Sequence, residues 1–164
     1  MKKIFLMSIF LLGFILTINA QEISKNAIGV RFGDNDGFGG EISYQHQLSE
    51  VNRFELDLGY RNHKDYDAFK LTGIYQWVWN IDKGFNWYAG FGAGLGSWNY
   101  ANSYVGDGDE GLFVNADGNI GIEYNFEEAP ILISLDFRPE IGVIGDYGKD
   151  TNLDLALSIR YQFN

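Results

Sequence analysis

The sequence predicts an all-β fold, an eight-stranded antiparallel up-and-down transmembrane β-barrel. Three observations carry that expectation. The closing stretch, Leu153 to Phe163, sets Leu153, Leu155, Leu157, Ile159, Tyr161 and Phe163 against Asp154, Ala156, Ser158, Arg160 and Gln162. A period of two is the mark of an extended segment with one apolar face, and about eleven residues let a tilted strand cross a hydrocarbon layer. Seven earlier stretches repeat the pattern. The composition agrees: 16% aromatic residues, 21 Gly and only 2 Pro suit many strands joined by tight turns.

Residues 1–20 stand apart from this pattern. Lys2 and Lys3 precede an apolar run from Ile4 to Ile18, and Ala20 offers a small residue before Gln21. That is the layout of a cleaved secretory signal peptide, and the run is shorter than the roughly 20 residues of a helical span. Residues 21–164 then form one barrel domain. Losing Lys2 and Lys3 makes the formal charge of −10 still more negative, which argues against nucleic acid as a partner. With no Cys there is no disulfide and no thiolate metal site, and no cofactor is expected.

The strands follow in order. The first, Ala27 to Gly33, sets Ile28, Val30 and Phe32 against Gly29 and Arg31. Asp34-Asn35-Asp36-Gly37 is turn chemistry. The second, Phe38 to Leu48, sets Phe38, Ile42, Tyr44, His46 and Leu48 against Glu41, Ser43, Gln45 and Gln47. In the third, Phe54, Leu56, Leu58 and Tyr60 oppose Arg53, Glu55, Asp57 and Arg61. The fourth, Ala68 to Trp79, carries Phe69, Leu71, Tyr75, Trp77 and Trp79 opposite Lys70, Thr72 and Gln76.

After the turn Asp82-Lys83-Gly84, the fifth strand, Phe85 to Gly96, places Trp87, Ala89, Phe91, Ala93 and Leu95 against four glycines, Gly90, Gly92, Gly94 and Gly96. Their expected role is to leave lumen space for large side chains from other strands, with a narrow water path as the alternative. A longer loop, Trp98 to Gly111, precedes the sixth strand, where Val114, Ala116, Ile120, Ile122, Tyr124 and Phe126 oppose Asn115, Asp117, Asn119, Glu123 and Asn125. In the seventh, Ile131, Ile133, Leu135 and Phe137 oppose Ser134, Asp136, Arg138 and Glu140. The loop Ile141 to Thr151 leads to the closing strand.

No Asp, Glu, Lys or Arg falls on the apolar faces, and His46 is the sole exception to an apolar or aromatic residue there. The polar faces interleave Arg31, Arg53, Arg61, Lys70, Arg138 and Arg160 with Glu41, Glu55, Asp57, Asp117, Glu123, Asp136, Glu140 and Asp154. A barrel turned inside out accounts for both faces, with lipid outside and a salt-bridged lumen within. Burying those charges singly is costly, so Arg53, Arg138 and Arg160 are expected to meet Glu55, Asp136, Asp154 or their neighbours. An even strand count puts both ends in the periplasm. The connections there, Ser49 to Asn52, Asp82 to Gly84 and Glu127 to Pro130, are short, and aromatics such as Trp77, Trp79, Phe85, Trp87 and Tyr124 gather beside them as an interfacial girdle.

At this point the chain resembles the small eight-stranded outer-membrane barrels of the OmpA and OmpX type. The resemblance covers essentially all of residues 21–164. Leu135-Asp136-Phe137-Arg138-Pro139 is similar to a stretch in barrels of Bacteroidota-like bacteria, and the closing strand with Tyr161 and Phe163 looks like the signal that barrel-assembly machinery reads. Asn164 departs from the usual terminal aromatic. The resemblance implies an outer-membrane location, lipid as the surrounding partner and a structural or surface-interaction role. No peptidoglycan-binding domain is expected after the barrel.

Candidates for chemistry are few. His46 is expected to face lipid near the periplasmic rim, with no hydroxyl beside it on the same face; His63 sits with Asp65 and Asp67 in a solvated loop. Asp34 with Asp36, and Asp107 with Asp109 and Glu110, cluster oxygens that suit calcium, yet neither run has the full spacing of a calcium loop. The chain is therefore not expected to be an enzyme. Two alternatives have distinct requirements: a soluble lipocalin-like ligand-binding barrel needs an apolar lumen, and an outer-membrane lipid-modifying enzyme needs a converging catalytic set. An extracellular ligand of the surface loops is not legible.

Overall fold

A computed structural model describes residues 23–33, 39–62, 66–100, 110–145 and 151–164, with side chains except at 61, 62, 66, 100 and 110. Its strands are β1 (Asn26–Phe32), β2 (Gly40–Gln47), β3 (Asn52–Asn62), β4 (Tyr66–Asp82), β5 (Phe85–Tyr100), β6 (Glu110–Asn125), β7 (Ile131–Ile144) and β8 (Asn152–Phe163). Each pairs antiparallel with the next, and β8 returns to β1, so the sheet closes on itself. The eight-stranded antiparallel barrel read from the sequence is the fold.

Alternation decides which way each side chain points. Along β8, Leu155, Leu157 and Ile159 are 56%, 54% and 46% exposed, whereas Asp154, Ser158 and Arg160 are 0%, 1% and 1% exposed. The other strands that carry charged residues repeat this inversion, and on β5 glycines and Asn86 take the inward positions. Apolar groups face outward and charged groups are enclosed, the reverse of a barrel folded for water.

Several strands run further than alternation suggested. Trp98, expected in a loop, belongs to β5 and pairs with Gly111, and β7 continues through Ile144. Outward Ser97 and Asn99 end the apolar stripe, but ladder hydrogen bonds do not need apolar side chains and carry the pairing on. Pro139, inside β7, has no N–H to give. There the β6–β7 ladder passes from Asp117↔Glu140 to Ile120↔Phe137, and Pro139 packs on bare Gly118. At the opposite extreme, β1 stops at Phe32 and β2 starts at Gly40, inside the expected bounds.

The end where β1 begins and β8 finishes has the short turns. Lys83 and Gly84 take φ of 27° and 88° between paired Asp82 and Phe85, a two-residue hairpin with both central residues left-handed. Ser49 Oγ donates to Asn52 Oδ1 at 2.8 Å, and Leu48 N donates to Asn52 O at 2.9 Å, closing the β2–β3 turn. Aromatic rings crowd this end outside the barrel: Trp79 stacks on Trp87 at 4.3 Å, and Phe85 and Tyr124 lie 4.5 Å apart.

Two findings refine the lumen. Ile74, Val78, Tyr88, Phe113 and Leu132 point inward and are almost wholly enclosed, so apolar fillers sit among the charges. The β5 glycines also divide by role. A Cβ at Gly94 would meet the Asp117 carboxylate at 3.2 Å and the Thr72 hydroxyl at 3.3 Å, as expected of a residue making room for side chains. At Gly92 it would run into the Gly73 carbonyl, and at Gly90 into that of Tyr75. Those two let neighbouring backbone approach instead, so a large residue at Gly92 disrupts the β4–β5 wall rather than filling lumen space.

Candidate functional site

The lumen is where the chain concentrates its chemistry. Eight carboxylates and five cations are buried there among the described residues, so cations must be shared. Arg31 on β1 holds Glu41 at 2.8 Å, Asp136 at 2.8 Å and Asp154 at 2.7 Å, tying β1 to β2, β7 and β8. Arg138 on β7 crosses to β3, meeting Asp57 at 2.6 Å and Glu55 at 3.0 Å, with Glu41 at 3.6 Å. Arg160 on β8 donates to Glu55 at 3.1 Å, Ser43 at 2.9 Å and Ser134 at 2.9 Å.

Arg53 lies nearer the short-turn end and meets Glu123 at 2.7 Å. Its guanidinium also donates to Gln76 and sits 4.7 Å from the centre of the Tyr88 ring. Gln76 passes the chain on to Asn119 at 2.8 Å, and Asn119 to Asp136 at 3.2 Å. Toward the long-loop end Lys70 pairs with Glu140, to which Asn115 also donates. Buried Asp117 lies beside Gly94. Beyond it, Ala68 and Phe113 form an apolar cluster with Trp98 packed against it.

The geometry rearranges the expected pairs. Arg138 and Arg160 both meet Glu55, while Asp136 and Asp154 are held by Arg31, and Arg53 turns to Glu123 on β6. Shear between strands sets which rows share a level, and one strand's pattern does not reveal it. Asn86, Gln76, Asn119 and Tyr88 carry no formal charge, so a pattern of charges gives no sign that they are partners. Their neutral amides and ring carry the contacts between ion pairs.

Other candidates stand elsewhere. Asp34, Asp36, Asp107 and Asp109 lie outside the described residues, as do His63 and Asp65. Glu110 and Arg61 are described by backbone alone, in β6 and β3. Among the described residues no group of three or more His, Asp or Glu is arranged to hold a metal ion. Tyr161 and Phe163 face outward on β8 with rings 6.4 Å apart. The environment of His46 corrects the sequence expectation. Its Nδ1 lies 3.0 Å from Asn26 Oδ1, and the Tyr44 hydroxyl donates to that same oxygen at 2.7 Å. Tyr44 shares the outer face of β2 with His46, two residues away, and the β1–β2 register Asn26↔His46 supplies the amide oxygen that both side chains meet.

No protein-family model matches the chain, and a search of curated proteins found no match. Solved structures do share the fold. The amino-terminal barrel domain of Pseudomonas aeruginosa OprF superposes with a TM-score of 0.64 at 14% identity, over 85% of this chain and 98% of that one. Ail, the attachment invasion locus protein of Yersinia pestis, gives 0.58 at 15% identity over 85% and 97%. Neisserial surface protein A gives 0.56 at 13% identity over 84% and 94%. At such identities the likeness is one of fold.

Proposed function

We propose that the chain is an integral outer-membrane barrel, similar to the OmpA and OmpX kind, with a structural or surface-interaction role and a lumen closed by its ion-pair network. The inversion of the two faces carries this reading. Exposed Leu155, Leu157 and Ile159 beside enclosed Asp154 and Arg160 are favourable in lipid and costly in water. A lipocalin-like role would require an apolar interior, where this lumen holds Arg31, Arg138 and Arg160. Export depends on residues 1–20, and assembly on recognition of the β8 strand ending in Tyr161 and Phe163. An extracellular ligand, if the protein has one, meets the long loops.

Fractionation with gel mobility before and after boiling tests the location. The protein should partition with the envelope and shift on heating; a freely soluble, unshifting protein overturns the reading. Closure is tested separately in a planar bilayer, where purified protein should give no steady conductance. Large, stable channels would discard the closed lumen while leaving the membrane location intact.

A further inference from the structure

The girdle row that crosses the β8–β1 seam reads Phe163, Asn26, His46, Phe54 in the strand register, followed by Tyr75 and Phe91. Aromatic rings fill it except at two adjoining positions, Asn26 and His46. A carboxamide and an imidazole on the outer face cost desolvation unless something polar meets them there. Asn26 Oδ1 accepts from the Tyr44 hydroxyl and from His46 Nδ1–H. With Nδ1–H donating to Asn26, the acceptor nitrogen of this tautomer is Nε2, and the exposed imidazole is held nearly parallel to Tyr44, at 19°. The Asn26 amide N–H groups remain as donors. The Lys25 carbonyl just before them accepts from Gln47 N at 2.9 Å, which fixes the start of β1.

This is a fixed acceptor beside donors, rimmed by Phe54 and Phe163. We propose that Asn26, Tyr44 and His46 form a binding site for the head group of an aminophospholipid in the periplasmic leaflet. The ammonium N–H donates to His46 Nε2, and the phosphate takes the Asn26 amide N–H groups. The inference rests on the outer-membrane reading above. It distinguishes ethanolamine from choline head groups, because a quaternary ammonium has no N–H to give, although both satisfy a purely aromatic cage.

The test uses the full barrel folded into vesicles of equimolar phosphatidylethanolamine, phosphatidylglycerol and phosphatidylcholine. Native mass spectrometry then counts the lipids retained after mild extraction. Wild type should keep ethanolamine lipid over choline lipid by about tenfold, the low end of what one hydrogen bond to a charged group contributes. His46→Phe and Asn26→Leu should each abolish the preference while retaining the heat-dependent gel shift, and Trp79→Leu, remote from the seam, should keep it. Equal retention of the two lipids by wild type, or a preference that survives both variants, overturns the site. Free phosphoethanolamine should not displace the lipid at equal concentration; displacement would move the ligand from membrane to solution and overturn the lipid assignment. A vesicle-embedded wild type without preference removes this inference alone, whereas protein that never enters vesicles removes the barrel reading with it.

Discussion

The two halves of the barrel wall solve opposite problems. The side made of β7, β8, β1, β2 and β3 roots the four described buried arginines; Arg31, Arg138 and Arg160 meet Glu41, Glu55, Asp57, Asp136 and Asp154 on that same side, and only Arg53 reaches across to Glu123 on β6. The side made of β4, β5 and β6 turns inward glycines, amides, Tyr88 and Ile74; Lys70 is its one described buried cation, beside the buried carboxylates Asp117 and Glu123 of β6. Outside, the contrast continues. The charged half is aliphatic along β8, from Leu153 to Ile159, while the glycine half carries Trp77, Trp79, Trp87 and Phe91. Long cations from one wall need volume, and the opposite wall supplies it by omitting side chains. The arginines and the space that they need are thus divided between the two sides rather than mixed along each strand.

The largest expected effect comes from breaking the charged half. Arg138→Leu leaves Glu55 and Asp57 close together with Arg160 as their main remaining counter-charge. Removing one partner of a buried ion network typically costs about 3–5 kcal/mol. Urea titration of the barrel in detergent micelles, followed by tryptophan emission, should show that loss. Adding Asp57→Asn to Arg138→Leu should recover part of it; no recovery would mean that Arg138 acts through packing rather than charge.

A second variant pair sharpens the inside–outside contrast on β8. Leu157→Arg puts a cation on the outward face, where the expected cost near mid-membrane is about 2–4 kcal/mol. Ser158→Asn, one residue along, replaces a buried hydroxyl with an amide among polar neighbours and should be mild. Equal folding of the two variants in lipid vesicles would show that the faces are assigned wrongly.

Much of this was legible because a strand's period is two. Once Leu157 is assigned outward, Arg160 and Asp154 are inward, and the same rule placed Glu55, Asp57, Asp136 and Arg138. The partners were not legible. Arg31 reaching Asp136 on β7 depends on closure between β1 and β8 and on shear, which no single strand records. Ile74, Val78 and Tyr88 escaped for a different reason: each neighbours a conspicuous outward aromatic, and the stripe of Tyr75, Trp77, Trp79 and Trp87 defined those strands. Asn26 precedes the expected first strand, and only the Asn26↔His46 register gave it meaning.

The glycine half yields the smallest expected effect and the finest distinction. If its bare positions exist only to give arginines room, alanine at any of them should be tolerated alike, since a methyl group is small against a guanidinium. The backbone says otherwise. A methyl at Gly92 meets the Gly73 carbonyl of β4, a main-chain atom that cannot move without shifting the ladder. Overpacking of that kind costs about 1–3 kcal/mol. A methyl at Gly94 meets the ends of Asp117, Thr72 and Lys70, the nearest at 3.2 Å, and flexible ends give way more cheaply. Gly92→Ala should therefore lower the urea midpoint in micelles more than Gly94→Ala, without opening a conductance in either. The reverse order would mean that the wall yields more readily than the ion network, and that the charged half, not the close approach of β4 to β5, sets the barrel's width.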